Sequence, residues 1–426
     1  MADVLFVHPP KPYLRDPNAQ FPLGLLYVEA SARKEGFETK VLNASSLSLE
    51  ETVVRILDLD PSVIGYTGTV LDLPYIFKIQ DELEKKKIYP FVLGGPCVFA
   101  FLESDLRLRF KSPFTICIGE GEPVIGRIIQ DLKKGSPKKS YTGFNEDIKN
   151  LPRPDRTLIQ DDLSGNVFLS TRSDKATIIL SSRGCVFKCC FCTAPHLSKG
   201  KVRFRDLSDF SRELDEIKDL GVNYLRFSDD NFSLNRNFVS EVCKLLREKG
   251  FYFRVSCRTK PNDLDFFKLL KDSGCLEIGF GVETCDERVL KVIGKGQTVS
   301  DIEKALTNAK KAGLFVRVLL MSNLPGEDSQ SSYRTISVLN SLPWDSISVT
   351  VLKPFPGSEI WRNPQKFGCE IIDKDFFSYN IYAYDSLGER PHKPAIRPFN
   401  LDLWEVRKNI EVLFDWAKKT GKLNKG

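Results

Sequence analysis

From Thr177 to Leu352 the chain repeats one unit: a short β-rich run, a turn, an amphipathic helix and a glycine. The runs are Thr177–Leu180, Tyr224–Ser228, Tyr252–Cys257, Leu276–Val282, Phe315–Met321 and Ser346–Leu352. Helices between them stop at Gly221, Gly250, Gly274 and Gly313, since a glycine just past a helix supplies the left-handed cap. The helix from Ser208 places Phe210, Leu214 and Ile217 on one face. Ser300 with Glu303 reads as a capping box for another. Six strand–helix units are too few for an eight-unit barrel and predict an open, partial (β/α)6 TIM barrel. In barrels the reacting groups sit at the carboxyl ends of the strands.

The first of those ends carries Ser181-Ser182-Arg183-Gly184-Cys185-Val186-Phe187-Lys188-Cys189-Cys190-Phe191-Cys192. Cys185, Cys189 and Cys192 form a C-x3-C-x2-C loop that can fold three thiolates around one metal centre. Soft thiolates select zinc, copper(I) or iron–sulfur clusters. On a four-iron cubane, three thiolates leave one iron open to another ligand. Structural zinc needs four closed ligands, and His196 is the one fourth ligand at hand. The chain has only three histidines, His8, His196 and His392, so a histidine-built metal site is close to excluded. The other cysteines, Cys97, Cys117, Cys243, Cys257, Cys275, Cys285 and Cys369, stand mostly in apolar runs and read as small buried hydrophobes.

The first 135 residues show a second βα alternation. Strands are expected at Val4–Val7, Lys40–Leu42, Val63–Thr67, Phe91–Leu93 and Phe114–Ile118. Helices are expected over Leu23–Lys34, from the Ser48/Glu51 capping box to Leu57, from Asp72 to Lys86, and up to Lys134. This predicts a Rossmann-like (flavodoxin-like), five-stranded parallel sheet covered on both faces. Ligands of such sheets bind beyond the carboxyl ends of the strands. Those ends carry Thr67-Gly68, Gly94-Gly95 and Gly119-Glu120-Gly121, which either let a ligand approach or only make tight turns. The expected domains are 1–135, a linker at 136–175, the partial barrel at 176–360 and a small α extension at 361–426. The linker contains Lys138-Lys139 and Leu151-Pro152-Arg153-Pro154-Asp155. The extension holds an aromatic stretch with Phe376, Phe377, Tyr379, Tyr382 and Tyr384, and a last helix over Leu401–Lys419.

A hydrophobic share of 42% and a charged share of 28% fit a soluble globular protein. Net charge of +6 is spread along the chain and gives weak support for nucleic acid. No run of 18 apolar residues and no signal peptide are read, so a cytoplasmic location is expected. Eleven cysteines in that setting point to metal or catalysis rather than disulfides.

With the cysteine loop and the six units together, residues 177–357 resemble the radical SAM superfamily. There the three cysteines bind a 4Fe–4S cluster, whose open iron is chelated by S-adenosylmethionine (SAM), the source of a 5′-deoxyadenosyl radical. The resemblance carries Cys185, Cys189 and Cys192 over as cluster ligands and leaves Cys190 out. It assigns Phe191, Ser228, Asp229, Asp230, Ser256, Arg258, Glu283 and Leu324 to SAM. Ser228-Asp229-Asp230 stand at the methionine moiety, Arg258 at its carboxylate and Glu283 at the ribose. Leu324 lies in Leu324-Pro325-Gly326-Glu327-Asp328 on the adenine side.

An α/β domain ahead of that core resembles the subclass with a cobalamin-binding domain. Thr67, Gly68, Gly94, Gly95, Gly119, Glu120 and Gly121 then stand at cobalamin. The Asp-x-His-x-x-Gly signature that offers a histidine to cobalt is absent, and His8 reads as structural at the end of a buried strand. The resemblance implies a cobalamin-dependent C-methyltransferase acting on an unactivated carbon of a small-molecule or biosynthetic substrate, served by a flavodoxin- or ferredoxin-type reductant. The aromatic segment is expected over the substrate pocket. The alternatives are a radical SAM cyclase or dehydrogenase without cobalamin chemistry, and an iron–sulfur nucleic-acid or protein-binding module.

Overall fold

The structure is a computed structural model that describes residues 2–14, 16–17, 20–103, 109–163, 175–375, 379 and 393–423. Phe376, Phe377, Tyr382, Tyr384 and His392 lie outside the described residues. The chain divides into two compact units. One is built from Met1–Ser164 and Arg203–Gly221, the other from Gly165–Val202, Val222–Asp375 and Tyr379–Gly426, by the described residues in those ranges.

The first unit holds strands β1 (Val4–His8), β2 (Thr39–Asn43), β3 (Val63–Thr67), β4 (Phe91–Gly94), β5 (Phe114–Gly119) and β6 (Ser140–Gly143). All pair in parallel in the order β2-β1-β3-β4-β5-β6. The first five follow the flavodoxin-like order, whose switch point lies between β1 and β3. Near-continuous apolar runs in β1 and β3 reflect burial on both faces. Ser48 and Glu51 make the expected capping box on helix Leu49–Leu59.

The sheet has six strands, not five. β6 falls in the stretch read as a linker, because Ser-Tyr-Thr-Gly is too short and polar to show a period. Its place is set by the Gly119–Gly143 register and by buried Tyr141, whose hydroxyl donates to Asp131. Further along that stretch Arg156 pairs with Glu213 at 2.6 Å, and both are buried.

Strand β7 (Ala176–Ile179) opens the second unit's sheet. Two-residue strands β8 (Ser182–Arg183) and β9 (Arg203–Phe204) follow it in the chain. Then come β10 (Tyr224–Phe227), β11 (Tyr252–Cys257), β12 (Cys275–Glu283), β13 (Phe315–Ser322) and β14 (Ser346–Val351). The sheet order is β14-β13-β12-β11-β10-β7, parallel throughout, with β7 and β14 at its edges. Gly221, Gly250, Gly274 and Gly313 all have positive φ, as helix caps should. The capping box expected at Ser300 and Glu303 sits two residues earlier. Extended Thr298 accepts from the Asp301 amide, and the Asp301 carboxylate closes the box on helix Val299–Lys311. A short antiparallel pair, β15 (Cys369–Ile371) with β16 (Ile396–Pro398), precedes the last helix, Leu403–Lys419.

Candidate active site

The cysteine loop is held in shape by a buried carboxylate. Asp229, just beyond β10, accepts from the Ser181 amide at 3.0 Å and its hydroxyl at 2.7 Å. It also accepts from the Ser182 amide at 2.7 Å and hydroxyl at 2.6 Å. Four donors use the acceptor capacity of an ionised carboxylate. Burial nevertheless leaves its pKa raised, against the lowering by these bonds. Asp230 is exposed and accepts from the Gly184 amide at 2.8 Å. Gly184 has φ +103°, and a Cβ there would lie 2.0 Å from the Lys201 carbonyl oxygen, so only glycine fits the turn.

Further along, the Cys190 amide donates to Ile293 at 3.0 Å and its carbonyl accepts from Ile360 at 2.9 Å. This turns the Cys190 side chain into an apolar cluster with Val289, Ile293 and Leu324, where burial pushes its thiol up to about 12. Cys185, Cys189 and Cys192 face one another closely enough to interact electrostatically, and burial raises Cys192 to about 11. Among the described residues no three His, Cys, Asp or Glu side chains close around a single-ion point. Three thiolates on one loop suit a multi-iron cluster, whose irons occupy separate corners. His196 is exposed, with Nδ1 3.4 Å from the Arg362 guanidinium, whose charge helps lower its pKa after desolvation.

Arg258, one residue past β11, reaches the loop. Its Nη1 lies 3.6 Å from Cys189 Sγ, and its guanidinium stands 3.7 Å from the centre of the Phe187 ring. Its Nη2 is buried without a hydrogen-bond partner, a costly state that a bound anion would relieve. Ser228 and Ser256 are exposed at neighbouring strand ends. Glu283, at the end of β12, has φ +64°, unusual for a residue with a side chain. The pairing register shifts between Gly281 and Glu283 and re-aims it. It pairs with Lys295 at 2.7 Å, and a Cβ on Gly281 would strike both partners. Leu324 is fully buried, and Phe191 packs against the same apolar cluster.

In the first unit Thr67 stands opposite Gly94, and Gly119 opposite Gly143, so the glycine-bearing ends share one edge. Most of these glycines answer to packing inside the protein. A Cβ would meet Asp72 at Gly68, the Gly68 carbonyl at Gly95, the Gly143 carbonyl at Gly119 and Val28 at Gly121, all under 3.0 Å. Gly94 alone of the set has ordinary room. Glu120 accepts from Arg203 at 2.8 Å and from the Asn145 amide at 2.6 Å.

The same edge holds a knot that no motif announced. Buried Lys11 donates to Asp72 at 2.8 Å, and the Tyr13 hydroxyl donates to the same oxygen at 2.6 Å. Beside it His8 is buried, and neither ring nitrogen makes a hydrogen bond of normal geometry. Burial, then the nearby Lys11 charge, lowers its pKa to about 3 against the opposing effects of the Asp72 charge and then the Gln20 backbone. A buried imidazole without a normal hydrogen bond at the switch point fits a large polar cofactor lying on this edge. Only the unusual lysine after Pro9-Pro10 could have signalled the knot.

Comparison with known proteins agrees with both halves. Residues 179–337 match the Radical SAM superfamily and residues 17–129 the B12 binding domain. An uncharacterized methyltransferase of Pyrococcus horikoshii is 28% identical over 80% of this chain and 78% of its own. The hopanoid C-3 methylase of Methylococcus capsulatus is 23% identical over 89% of this chain and 75% of its own. The structure of the radical S-adenosylmethionine methyltransferase TsrM from Kitasatospora setae superposes with a TM-score of 0.72. It covers 99% of this chain and 91% of its own at 17% identity, a likeness of fold. Among the described residues no helix is long and apolar enough to cross a membrane. The chain belongs to the radical SAM superfamily of enzymes, in the subclass that carries a B12-binding domain.

Proposed function

We propose that the chain is a cobalamin-dependent radical SAM methyltransferase acting on an unactivated carbon of a small molecule. The observation that carries this reading is Arg258, with one guanidinium nitrogen on Cys189 and the other buried and unpartnered. Cys185, Cys189 and Cys192 hold the 4Fe–4S cluster. Arg258, kept in place by the Phe187 ring, takes the SAM carboxylate as a charge-assisted pair. Asp229 is a positioning residue that fixes Ser181 and Ser182 at the start of the loop. Asp230, Ser228 and Ser256 offer exposed polar groups to the rest of SAM. Glu283, oriented by Lys295, suits ribose hydroxyls, while Phe191 and Leu324 give an apolar wall.

Thr67, Gly68, Gly94, Gly95, Gly119, Glu120 and Gly121 form the cobalamin edge at the switch point of the first sheet, without a histidine signature. The bound groups together supply hydrogen abstraction from carbon and donation of a methyl group, and the protein's work is placement. We read the second sheet as the partial (β/α)6 barrel and keep the boundaries 1–135, 136–175, 176–360 and 361–426. A flavodoxin- or ferredoxin-type protein is the reductant.

The test is anaerobic reconstitution of the full chain with iron, sulfide, cobalamin and SAM. The expected result is cobalamin retained through gel filtration and 5′-deoxyadenosine formed on reduction. A Cys189→Ala variant that still made 5′-deoxyadenosine would reject the radical half, and failure to retain cobalamin would reject the methyl-donor half.

A further inference from the structure

The loop that follows β13 is shaped by residues from the end of the chain. β13 ends at Ser322, and its neighbour β12 ends at Glu283, which stands in register beside Leu320. The loop then runs Asn323-Leu324-Pro325-Gly326-Glu327-Asp328 towards the helix Ser331–Asn340. Two of its residues, Asn323 at φ +63° and Gly326 at φ +86°, take the left-handed conformation. A Cβ on Gly326 would lie 2.9 Å from the Val292 side chain, so the turn is pressed against the helix Glu287–Val292. Leu324 packs in the apolar cluster that also holds Cys190, the neighbour of Cys189. The loop therefore meets the cysteine loop on one side and follows the strand beside Glu283 on the other.

Residues 395–409 hold this shape. Asn323 is fully buried. Its side-chain amide, in the orientation that satisfies both ends, donates to the Ile396 carbonyl at 3.0 Å and accepts from the Ala395 amide at 3.3 Å. Asn400 Nδ2 donates to the Glu327 carbonyl at 2.9 Å. Asn409 Nδ2, on the last helix, donates to the Asp328 carbonyl at 2.8 Å, while its own backbone carbonyl accepts from the Ser332 hydroxyl at 2.9 Å. Ile396 joins Leu324 and Cys190 in one apolar cluster. The Glu327 side chain is buried here too. Burial, aided by the Asp286 charge, pushes its carboxyl up to about 8 against the lowering by the Leu324 and Asn323 amides and the Asn409 side chain. Backbone carbonyls taken from water need donors, and two in this loop find theirs on asparagines 73 and 81 residues away.

Asparagine suits this work, because its amide donates to a carbonyl without bringing a charge into a buried place. The bonds from Asn400 and Asn409 are directed at loop backbone rather than at side chains, so what they set is the shape of the loop. We propose that Asn400 and Asn409 are positioning residues for the adenosyl half of SAM, acting through the backbone of residues 323–328. The C-terminal extension then serves the SAM site, although neither asparagine touches the cysteine loop or Arg258 in sequence. This inference rests on the proposed function, which puts the methionine end of SAM at the cluster and Arg258, its ribose at Glu283, and Leu324 in the wall beyond.

The test follows 5′-deoxyadenosine formation against SAM concentration in the full chain, reconstituted with cluster and cobalamin and chemically reduced. Asn409→Ala and Asn400→Ala should each raise the KM for SAM roughly three- to tenfold, as loss of one neutral hydrogen bond does. Their kcat should stay within about twofold of wild type. At saturating SAM the reduced cluster of each variant should give the wild-type electron paramagnetic resonance spectrum, because the methionine end is untouched. Asn400→Asp, which keeps the shape and loses the donor, should match Asn400→Ala. Asn400 is exposed, so its two variants decide the matter should Asn409→Ala not fold. Lys408→Ala, at an exposed position of the same last helix, should leave KM unchanged. A purely structural role would lower the number of competent chains, hence kcat, and leave KM alone. That result, or an unmoved KM in folded, cluster-loaded Asn400 variants, would overturn the inference. Wild type that makes no 5′-deoxyadenosine sinks the proposed function, whereas cleavage with an unmoved KM in the variants sinks this inference alone.

Discussion

Arg258 tests the reading of the strand ends at the scale of one side chain. A charge-assisted hydrogen bond is worth about 1.5–3 kcal/mol. Arg258→Lys, losing the fork and the stack on Phe187, should therefore weaken SAM binding roughly 10- to 100-fold in equilibrium dialysis. Unchanged affinity would remove Arg258 from the site. Cys190 and Cys189 are neighbours with opposite fates. Cys190→Ala should keep the cluster's visible absorbance, because Cys190 packs among Val289, Ile293 and Leu324, while Cys189→Ala should lose it. The cysteine spacing was legible because it is local. The use of Asp229 was not: its carboxylate could be placed at a strand end, but its four donors lie on serines 47 and 48 residues away. The orphaned Nη2 of Arg258 depends likewise on packing that no spacing encodes.

At the scale of elements, the loop from β7 depends on a backbone shape. Gly184→Ala places a methyl on the Lys201 carbonyl at a positive φ, a strain of about 1–3 kcal/mol. The expected outcome is a lower melting temperature and less iron per chain, and a variant with full iron and unchanged melting would contradict it.

The first sheet carries its own acid sensitivity. His8 is held neutral in the fold, with a pKa near 3 against 6.5 unfolded. The unfolded chain therefore binds the extra proton first, and stability falls as pH drops below 6.5. The slope approaches about 1.4 kcal/mol per pH unit until the folded value is reached. Urea melts between pH 7 and 4 should show that slope in the wild type and lose it in His8→Asn. Five of the first sheet's six strands were legible as apolar runs between glycines. β6 was hidden because its place comes from the Gly119–Gly143 pairing rather than from any pattern of its own. The Thr298 cap was missed in favour of Ser300, since both offer a hydroxyl three residues before an acid and only backbone geometry separates them.

At the scale of the molecule, a chain 17% identical to TsrM keeps its fold over 99% of its length. The fold survives where most residues have changed. That is why the fold could be read from periodicity, while the cofactors came from the resemblance of the cysteine loop and its βα frame to the radical SAM superfamily. The substrate could not be read, since residues that meet at the carboxyl ends of paired strands are distant in sequence.

The central claim is a four-iron cluster with one iron left open for SAM beside Arg258. Electron paramagnetic resonance of the reduced, reconstituted full chain tests it most directly. The account predicts a spin-½ cluster signal that changes in shape and position when SAM is added, with the change lost in Cys189→Ala together with the cluster. A reduced cluster whose spectrum is indifferent to saturating SAM would contradict it.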